Sequence, residues 1–307
     1  MNALRRNLSD IYHLATDPRR RAFERQRRID DIAMRRKLAD ALAARLPRAD
    51  DLLAAAGDEG GAVGDELIRR GRADLPGLVG EHQVRAIRDS VRGLLAHDPY
   101  RPELGRYLAP ANVPGETHVS HYRDEDIVRI PHLLELANHP RVLGPVAQWL
   151  GGRPTLAALR LWWSTPSSDG TPEHAELFHR DVDDLRFVKL FVYLTDVTED
   201  TGPHVYVDGS HAVDRLTEIR RYEDDAVAAA FGADTIATLT GRAGTAFLEN
   251  TYGMHRGVPP IAGPRLIFQP LYALQPLIYG PRKPVVDAGD APAGLDPYVN
   301  RVFVRTQ

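Results

Sequence analysis

The spacing of apolar and polar residues divides the chain into a helical first part and a β-rich second part. Between Asp17 and Pro47 apolar side chains return every three or four residues, which is the period of an amphipathic helix. Asp17 followed by Pro18 is a typical helix start, because the aspartate can cap free amides and proline suits the first turn. The glycine-rich, acidic stretch 57–66 predicts a connector. The pattern therefore predicts a helical N-terminal extension at residues 1–60.

Arginine is frequent in this predicted helix, and acidic residues such as Glu24, Asp30 and Asp31 are interleaved with it. Mixed charges of this kind indicate a solvated helix face. An interaction element for an anionic or protein partner is the alternative interpretation.

Further along, residues 130–151 predict two short helices separated by His139-Pro140. From about residue 156 the period changes to two, in short segments that are rich in aromatic and β-branched residues and bounded by Gly, Pro, Asp and Asn. These predicted strands are LAALRLWW, RFVKLFVYL, PHVYVDG, GTAFLEN and RLIFQPLYAL. One helix-prone stretch, RYEDDAVAAAFG, lies among them. The pattern predicts a mainly β fold with helical additions, a sandwich or barrel and not alternating β–α units.

Composition narrows the class of protein. The 307 residues are 43% hydrophobic and 26% charged, which is typical of a soluble globular protein with a sizeable core. A net charge of −3 argues against a general nucleic-acid binder, and the absence of cysteine excludes disulfides and thiolate metal sites. We find neither a signal-peptide pattern nor an apolar run long enough to span a bilayer. A soluble, cytoplasmic protein is expected.

The stretch LFHRDVDDLRFVKLFVYLTD, residues 177–196, contains the first candidate chemistry. Residues two apart on or beside a strand point to the same face, so His179 and Asp181 can converge on one ion while Arg180 turns away. An imidazole and a carboxylate are two of the three ligands in the facial triad of non-haem Fe(II) oxygenases. The pair alone is more typical of a capped polar turn, so a third ligand is needed.

The candidates for the third ligand are His204, His211 and His255. An oxo-acid cosubstrate would also need a basic residue to anchor its far carboxylate, and Arg221 follows His211 by ten residues just as Arg265 follows His255. Context separates the two pairs. Arg221 lies in a charged, helix-prone stretch, whereas Arg265 opens an apolar strand, where a buried charge must be paired. The sequence favours His255 and Arg265.

One segment of the chain resembles a known family. The segment FHRDVDDLRFVKLFVYLTDVTEDTGPHVYVDGSH is similar to the phytanoyl-CoA dioxygenase family of Fe(II)/2-oxoglutarate oxygenases in its HxD pair, its YLTDV-like strand end, its GP turn and its GSH phrase. The resemblance spans roughly residues 65–275. It implies a double-stranded β-helix, or jelly roll, with the metal at one open end. We therefore expect an oxygenase domain at residues 61–280 and a C-terminal tail at 281–307.

The resemblance also implies site residues and cofactors. Iron would bind to three of these residues and the 5-carboxylate of 2-oxoglutarate to a fourth, namely His179, Asp181, His255 and Arg265. Oxygen would be the second cosubstrate. Many relatives carry a hydroxyl residue two positions after the arginine, where this chain has Ile267. The second anchor is therefore open, and Lys189 and Phe191, on one face of their strand, are candidates; an exposed strand lysine is the alternative for Lys189.

Three side chains are candidates for substrate contact. One of the adjacent Trp162 and Trp163 should face the barrel, and Trp163 is the candidate; Asn250 and Tyr252 precede the distal histidine and either contact small molecules or order the turn. The predicted function is a dioxygenase that hydroxylates an unactivated C–H bond of a small molecule, with release of succinate and CO₂. The alternative is a non-oxidative metal-binding jelly roll, either an isomerase or hydrolase or a binding module.

Overall fold

Two antiparallel sheets with helices packed around them form the part of the chain that the computed structural model describes, residues 17–168 and 171–305. The α-helices of these residues are α1 (Pro18–Gln26), α2 (Ile32–Ala43), α3 (Asp50–Arg70), α4 (Glu81–Val91), α5 (Asp124–Ile127), α6 (Leu133–Ala137), α7 (Pro140–Leu150), α8 (Asp224–Phe231) and α9 (Pro297–Asn300). Short 3₁₀ helices lie at Pro102–Leu104, His174–Glu176, Glu199–Thr201, Ser210–Ala212 and Ala233–Thr235.

The strands form a large sheet, a small sheet and a separate pair. They are β1 (Arg72–Asp74), β2 (Leu95–His97), β3 (Arg106–Leu108), β4 (Val119–His121), β5 (Thr155–Ser164), β6 (Phe187–Tyr193), β7 (His204–Val207), β8 (Ile236–Leu239), β9 (Ala246–Glu249), β10 (His255–Gly257), β11 (Arg265–Ala273), β12 (Val286–Asp287) and β13 (Val304–Arg305). The large sheet has the order β1-β9-β6-β11-β5-β4-β2-β3 and the small sheet the order β10-β7-β8. Neighbours in both are antiparallel, whereas β12 and β13 form a parallel pair.

This arrangement confirms the predicted fold class, a mainly β double-stranded β-helix core with helical additions. The five segments of period two are β5, β6, β7, β9 and β11, and the helix-prone stretch between them is α8. Among the described residues no helix is both long enough and apolar enough to cross a membrane.

Side chains of the large sheet alternate between two environments. On β11, Leu266 and Phe268 are buried in the main core, which also takes in residues of the surrounding helices. Ile267 lies on the other face, in a separate cluster with Phe191 and Phe247. Because side chains alternate along a strand, the polar residues that share the face of Ile267 are directed into the interior of the jelly roll.

The predicted connector at residues 57–66 is wrong. These residues belong to α3, which is kinked at Gly57 (φ 61°). A Cβ added at Gly64 would lie 2.0 Å from Oε1 of Gln148 on α7, and one at Gly144 of α7 would lie 2.2 Å from Cβ of Ala56. The glycines therefore allow α3 and α7 to approach closely and do not form a loop, and the predicted boundary after residue 60 falls inside a helix.

The predicted helix start at Asp17 is confirmed, because its carboxylate accepts a hydrogen bond from the amide of Arg19 at 2.9 Å. The helix does not continue to Pro47 as predicted. It ends after Gln26, and a second helix begins at Ile32, where the carboxylate of the N-cap Asp31 accepts a hydrogen bond from the amide of Met34 at 2.6 Å. The sequence shows the apolar period but not this break, because a second N-cap aspartate reads equally well as one charge among many on a helix surface.

Candidate metal centre and cosubstrate pocket

The backbone brings two distant histidines together at one end of the jelly roll. His179 lies just before β6, and His255 is the first residue of β10. The amide of His179 donates to the carbonyl of His255 at 2.9 Å, and the amide of His255 donates back at 3.0 Å. The amide of Asp181 donates to the carbonyl of Thr251 at 2.9 Å. This short antiparallel pairing sets the two imidazoles side by side, with ring centroids 4.3 Å apart.

The three predicted metal ligands converge. Nε2 of His179 lies 3.4 Å from Oδ1 of Asp181, and Nε2 of His255 lies 3.4 Å from Oδ2 of the same carboxylate. One ligand atom from each residue lies within 4.8 Å of the other two. Donor atoms that each sit about 2 Å from a common ion lie roughly 3–4 Å apart, so the spacing suits a single small divalent cation.

The hydrogen bonds of both histidines prepare Nε2 for a metal. Nδ1 of His179 lies 2.8 Å from the carbonyl oxygen of Leu177, and Nδ1 of His255 lies 2.9 Å from that of Gly253. A carbonyl only accepts, so each Nδ1 carries the proton and each Nε2 offers a lone pair. Burial, together with the nearby His179, also lowers the pKa of His255 and favours the neutral, ligating form.

Lys189 is directed at the metal-binding carboxylate. Its Nζ lies 2.6 Å from Oδ2 of Asp181 and 2.9 Å from Oδ2 of Asp183. Burial disfavours the ammonium, yet the two carboxylates outweigh it and raise the pKa of Lys189. Burial likewise opposes ionisation of Asp181, but Lys189 and His255 hold its pKa well below the usual range. The carboxylate is therefore ionised and oriented before any metal binds.

Arg265 is buried with donors to spare. Only 5% of the residue is exposed, and Nη2 donates to Oγ of Ser164 at 3.1 Å, directly across the β11–β5 ladder. Nε and Nη1 have no hydrogen-bond partner among the described residues. A buried N–H without an acceptor costs about 1–3 kcal/mol. A carboxylate that accepts from two guanidinium nitrogens would satisfy both, as in other bidentate arginine–carboxylate pairs.

The metal ligands and Arg265 open into one cavity of about 260 Å³. Phe191, Ile267 and Lys189 line it from the large sheet, and Tyr100 and His174 lie at the same cavity with stacked rings 3.9 Å apart. A cavity of this volume accommodates a small cosubstrate together with part of a substrate.

Trp162 lines the cavity, whereas the sequence predicted that Trp163 does. Trp163 is 6% exposed in the main core and donates Nε1 to the hydroxyl of Tyr122 at 3.0 Å. Trp162 lines the cavity, where it stacks on His121 and donates Nε1 to Oγ of Ser164 at 3.2 Å. The structure thus brings Trp162 and Ser164 to the pocket and keeps Trp163 away from it.

Asn250 and Tyr252 order the turn before His255 and do not line the cavity. Oδ1 of Asn250 accepts from the amide of Tyr252 at 3.1 Å, and its carbonyl accepts from the amide of Gly253 at 2.9 Å. His211, the rejected ligand candidate, is buried with Nε2 3.1 Å from the carbonyl of Ile68. It stays outside the cluster of possible ligands.

A buried His204–Glu249 pair lies beside the ligands, and the sequence assigned no role to Glu249. Nε2 of His204 is 2.8 Å from Oε1 of Glu249, and the His204 ring stacks near that of His255 with centroids 5.5 Å apart. Burial raises the pKa of Glu249 to about 8. Burial, reinforced by Arg265, lowers the pKa of His204 to about 3. Both shifts favour a neutral pair, in which the protonated carboxyl donates to the imidazole.

A double-stranded β-helix core that brings two histidines and one carboxylate together is suited to bind one metal ion, as in mononuclear non-haem centres. The family model of phytanoyl-CoA dioxygenase (PhyH) matches residues 68–259, well over half of the chain, and the protein belongs to this family. Fe(II) and 2-oxoglutarate are the metal and cosubstrate of the class, and the donor set here fits both. The predicted family and cofactors are confirmed.

Solved structures of similar fold include the crystal structure of EctD from S. alaskensis with 2-oxoglutarate and 5-hydroxyectoine, at 19% identity and a TM-score of 0.54 over 85% of this chain and 94% of that one. EctD from the same source with bound Fe matches at 18% identity and a TM-score of 0.51, over 85% and 93% of the two chains. HygX from Streptomyces hygroscopicus, with nickel and 2-oxoglutarate bound, matches at 20% identity and a TM-score of 0.49, over 78% and 96%. Among curated proteins no sequence matches this chain.

Proposed function

We propose that this protein is an Fe(II)/2-oxoglutarate-dependent dioxygenase that hydroxylates an unactivated C–H bond of a small molecule. The observation that carries the proposal is the combination, in one cavity, of three converging ligand atoms with a buried arginine that has two unpaired nitrogens. A metal-dependent isomerase, a hydrolase or a binding module would need the ligands but not that arginine.

In this proposal Nε2 of His179, Nε2 of His255 and a carboxylate oxygen of Asp181 hold the metal. Arg265 and Ser164 receive the 5-carboxylate of 2-oxoglutarate, so Ser164 supplies the hydroxyl that Ile267 does not. Iron bound there would supply oxidising chemistry in which 2-oxoglutarate is decarboxylated to succinate and CO₂ while a substrate C–H bond is oxidised.

The remaining protein groups act by orientation and by exclusion of water. Lys189 holds Oδ2 of Asp181 at 2.6 Å and so fixes the carboxylate plane. Phe191 and Trp162 present apolar surface to the reacting atoms, which keeps water away from them until substrate fills the cavity. Asp181 also favours an oxygenated product over a halogenated one, because halogenases of similar fold carry a small residue in its place.

The direct test is anaerobic titration of the metal-free protein with Fe(II) and then 2-oxoglutarate, followed by absorption in the visible range. We expect one Fe(II) per chain and a charge-transfer band that appears only when both are present. Alanine variants of His179, Asp181 and His255 should lose the band. Full activity in His255→Ala would move the third ligand elsewhere, and turnover without consumption of 2-oxoglutarate would favour a non-oxidative function.

A further inference from the structure

Arg35 is a cation inside the protein on a helix that precedes the family-matched segment. It lies on α2 and is only 2% exposed, although the charge pattern of this region predicts a solvated face. Its Nη1 donates to the carbonyls of Gln26 and Ile29, each at 3.1 Å, and Nη2 donates to Oε1 of Gln26 at 3.2 Å. An apolar side chain would fill the same space without the free-energy cost of burying a charge, so filling space does not account for the guanidinium.

Arg35 also contacts the backbone that follows Asp181. Nη2 also donates to the carbonyl oxygen of Asp184, and the side-chain amide of the neighbouring Gln26 donates to the carbonyl of Val182. Val182 directly follows the candidate ligand Asp181 in the chain, and Asp184 comes two residues later. Two side chains of the N-terminal helices therefore hold the backbone that emerges from the carboxylate ligand.

The same guanidinium reaches the second ligand-bearing segment. Cζ of Arg35 lies 4.4 Å from the ring centroid of Tyr252, three residues before His255. Cζ of Arg180, the residue between the other two ligands, lies 5.2 Å from the same centroid, and its Nη1 donates to the carbonyl of Tyr252 at 2.6 Å. A desolvated cation over the face of an aromatic ring is attracted to it, so both arginines hold the ring of Tyr252.

Arg180 completes the connection. It is 4% exposed, and its guanidinium donates to the carbonyls of Ser210, Arg215 and Leu216 at 2.8–3.0 Å. The segment with His179 and Asp181, the turn before His255, and α2 thus meet at one ring, that of Tyr252. A shift of α2 would be transmitted to both sides of the metal centre.

We propose that Arg35 is a positioning residue for the candidate metal centre, which fixes the two chain segments that carry Asp181 and His255. The inference rests on the proposed function, since it requires that these residues bind a metal. It also means that the helices before residue 68 are part of the working site and not an appended extension.

The test measures metal affinity instead of activity. Co(II) serves as the probe, because its d–d absorption reports both binding and ligand geometry. Arg35→Met removes the charge and the donors at similar length, and Arg35→Lys keeps the charge but loses the planar fork. Lys37→Met is the matched control, because it removes a cation from an exposed position on the same helix.

Removing a residue that orients metal ligands typically weakens metal binding 10–100-fold. We expect Arg35→Met to weaken Co(II) binding by about that factor and to alter the d–d spectrum, at a temperature where the metal-free variant is folded. Arg35→Lys should fall between Arg35→Met and wild type, and Lys37→Met should match wild type. An Arg35→Met protein with wild-type affinity and spectrum would overturn the proposal.

If Arg35→Met does not fold, Gln26→Met decides the question, because it removes only the donor to the Val182 carbonyl and the acceptor for Arg35. Weaker Co(II) binding supports the inference, and unchanged binding overturns it. Failure of the proposed function gives a different result. In that case the wild-type protein itself binds no Co(II), or binds it equally well after Asp181→Ala.

Discussion

The ammonium of Lys189 is shared between Asp181 and Asp183, at 2.6 Å and 2.9 Å. One cation thus balances two largely buried carboxylates, of which the first is a candidate metal ligand. Removing one partner of a buried ion pair leaves charge uncompensated and costs about 3–5 kcal/mol.

Lys189→Met should therefore lower the free energy of unfolding of the metal-free protein by about 3 kcal/mol, measured by urea denaturation. A divalent cation replaces part of the missing charge, so it should stabilise Lys189→Met more than it stabilises wild type. Lys189→Arg is the control that keeps the cation. A stable Lys189→Met protein with a raised requirement for 2-oxoglutarate would instead favour the role as second cosubstrate anchor.

Loss of Arg265 should impair cosubstrate binding and spare the metal. Charged hydrogen bonds contribute roughly 1.5–3 kcal/mol, so Arg265→Ala should raise the KM for 2-oxoglutarate at least about tenfold while Fe(II) stoichiometry stays at one. Ser164→Ala, which removes a neutral partner, should raise it by about two- to tenfold. Arg221→Ala is the control, since this arginine donates to the carbonyl of His174 from an exposed position. A larger effect in Arg221→Ala than in Arg265→Ala would reverse the assignment.

Stability of the metal-free protein should fall as the pH rises through the titration of Glu249. Burial raises the pKa of this carboxyl from 4.5 to about 8, so between these values the folded state binds more protons than the unfolded state. The stabilisation is complete below pH 4.5 and is lost on approach to pH 8, with a total on the order of a few kcal/mol.

Glu249→Gln isolates this contribution, because glutamine keeps the shape of the protonated acid and can donate to His204. Urea midpoints measured from pH 5 to pH 9 should decline less steeply in Glu249→Gln than in wild type. Parallel curves for the two proteins would mean that the carboxyl is ionised throughout this range.

Chloride should not divert the reaction. As a ligand, the Asp181 carboxylate would occupy the place on the metal that a halide would need. Under ¹⁸O₂ and high chloride we expect a product that contains ¹⁸O, with one succinate per coupled turnover. Loss of two hydrogens without ¹⁸O would indicate desaturation or ring formation, and a chlorinated product would contradict the hydroxylase proposal. Asp181→Gly should lose most activity without gaining chlorination, since chloride also needs surroundings shaped for it.

The difference in burial between the two arginines at equal spacing was predictable from their sequence context. Arg265 opens an apolar strand and is 5% exposed, whereas Arg221 hydrogen-bonds from the surface. A charge within an apolar segment indicates a partner, because burial without one is costly. The same reasoning did not reveal Arg35, since a helix with mixed charges hides one buried arginine among many exposed ones.

The face of the tryptophan pair was also within reach of the sequence. One face of β5 carries Arg160, Trp162 and Ser164, and the opposite face carries Leu161 and Trp163. Polar residues at alternate positions mark the cavity side, so they indicate both Trp162 and the hydroxyl of Ser164. The contact of Lys189 with Asp181 and the pairing of His204 with Glu249 were out of reach, because only the register of distant strands brings these side chains together.

The two backbone hydrogen bonds between His179 and His255 have a consequence for how a metal ion binds and dissociates. Most of the ligand geometry is built by the backbone, so it exists before the cation arrives, unlike in small zinc domains that fold only around their metal. We expect the amides of both histidines to resist hydrogen–deuterium exchange equally with and without bound metal. Protein that loses its iron would then stay folded but inactive, and it would regain activity when iron binds again, without synthesis of new protein.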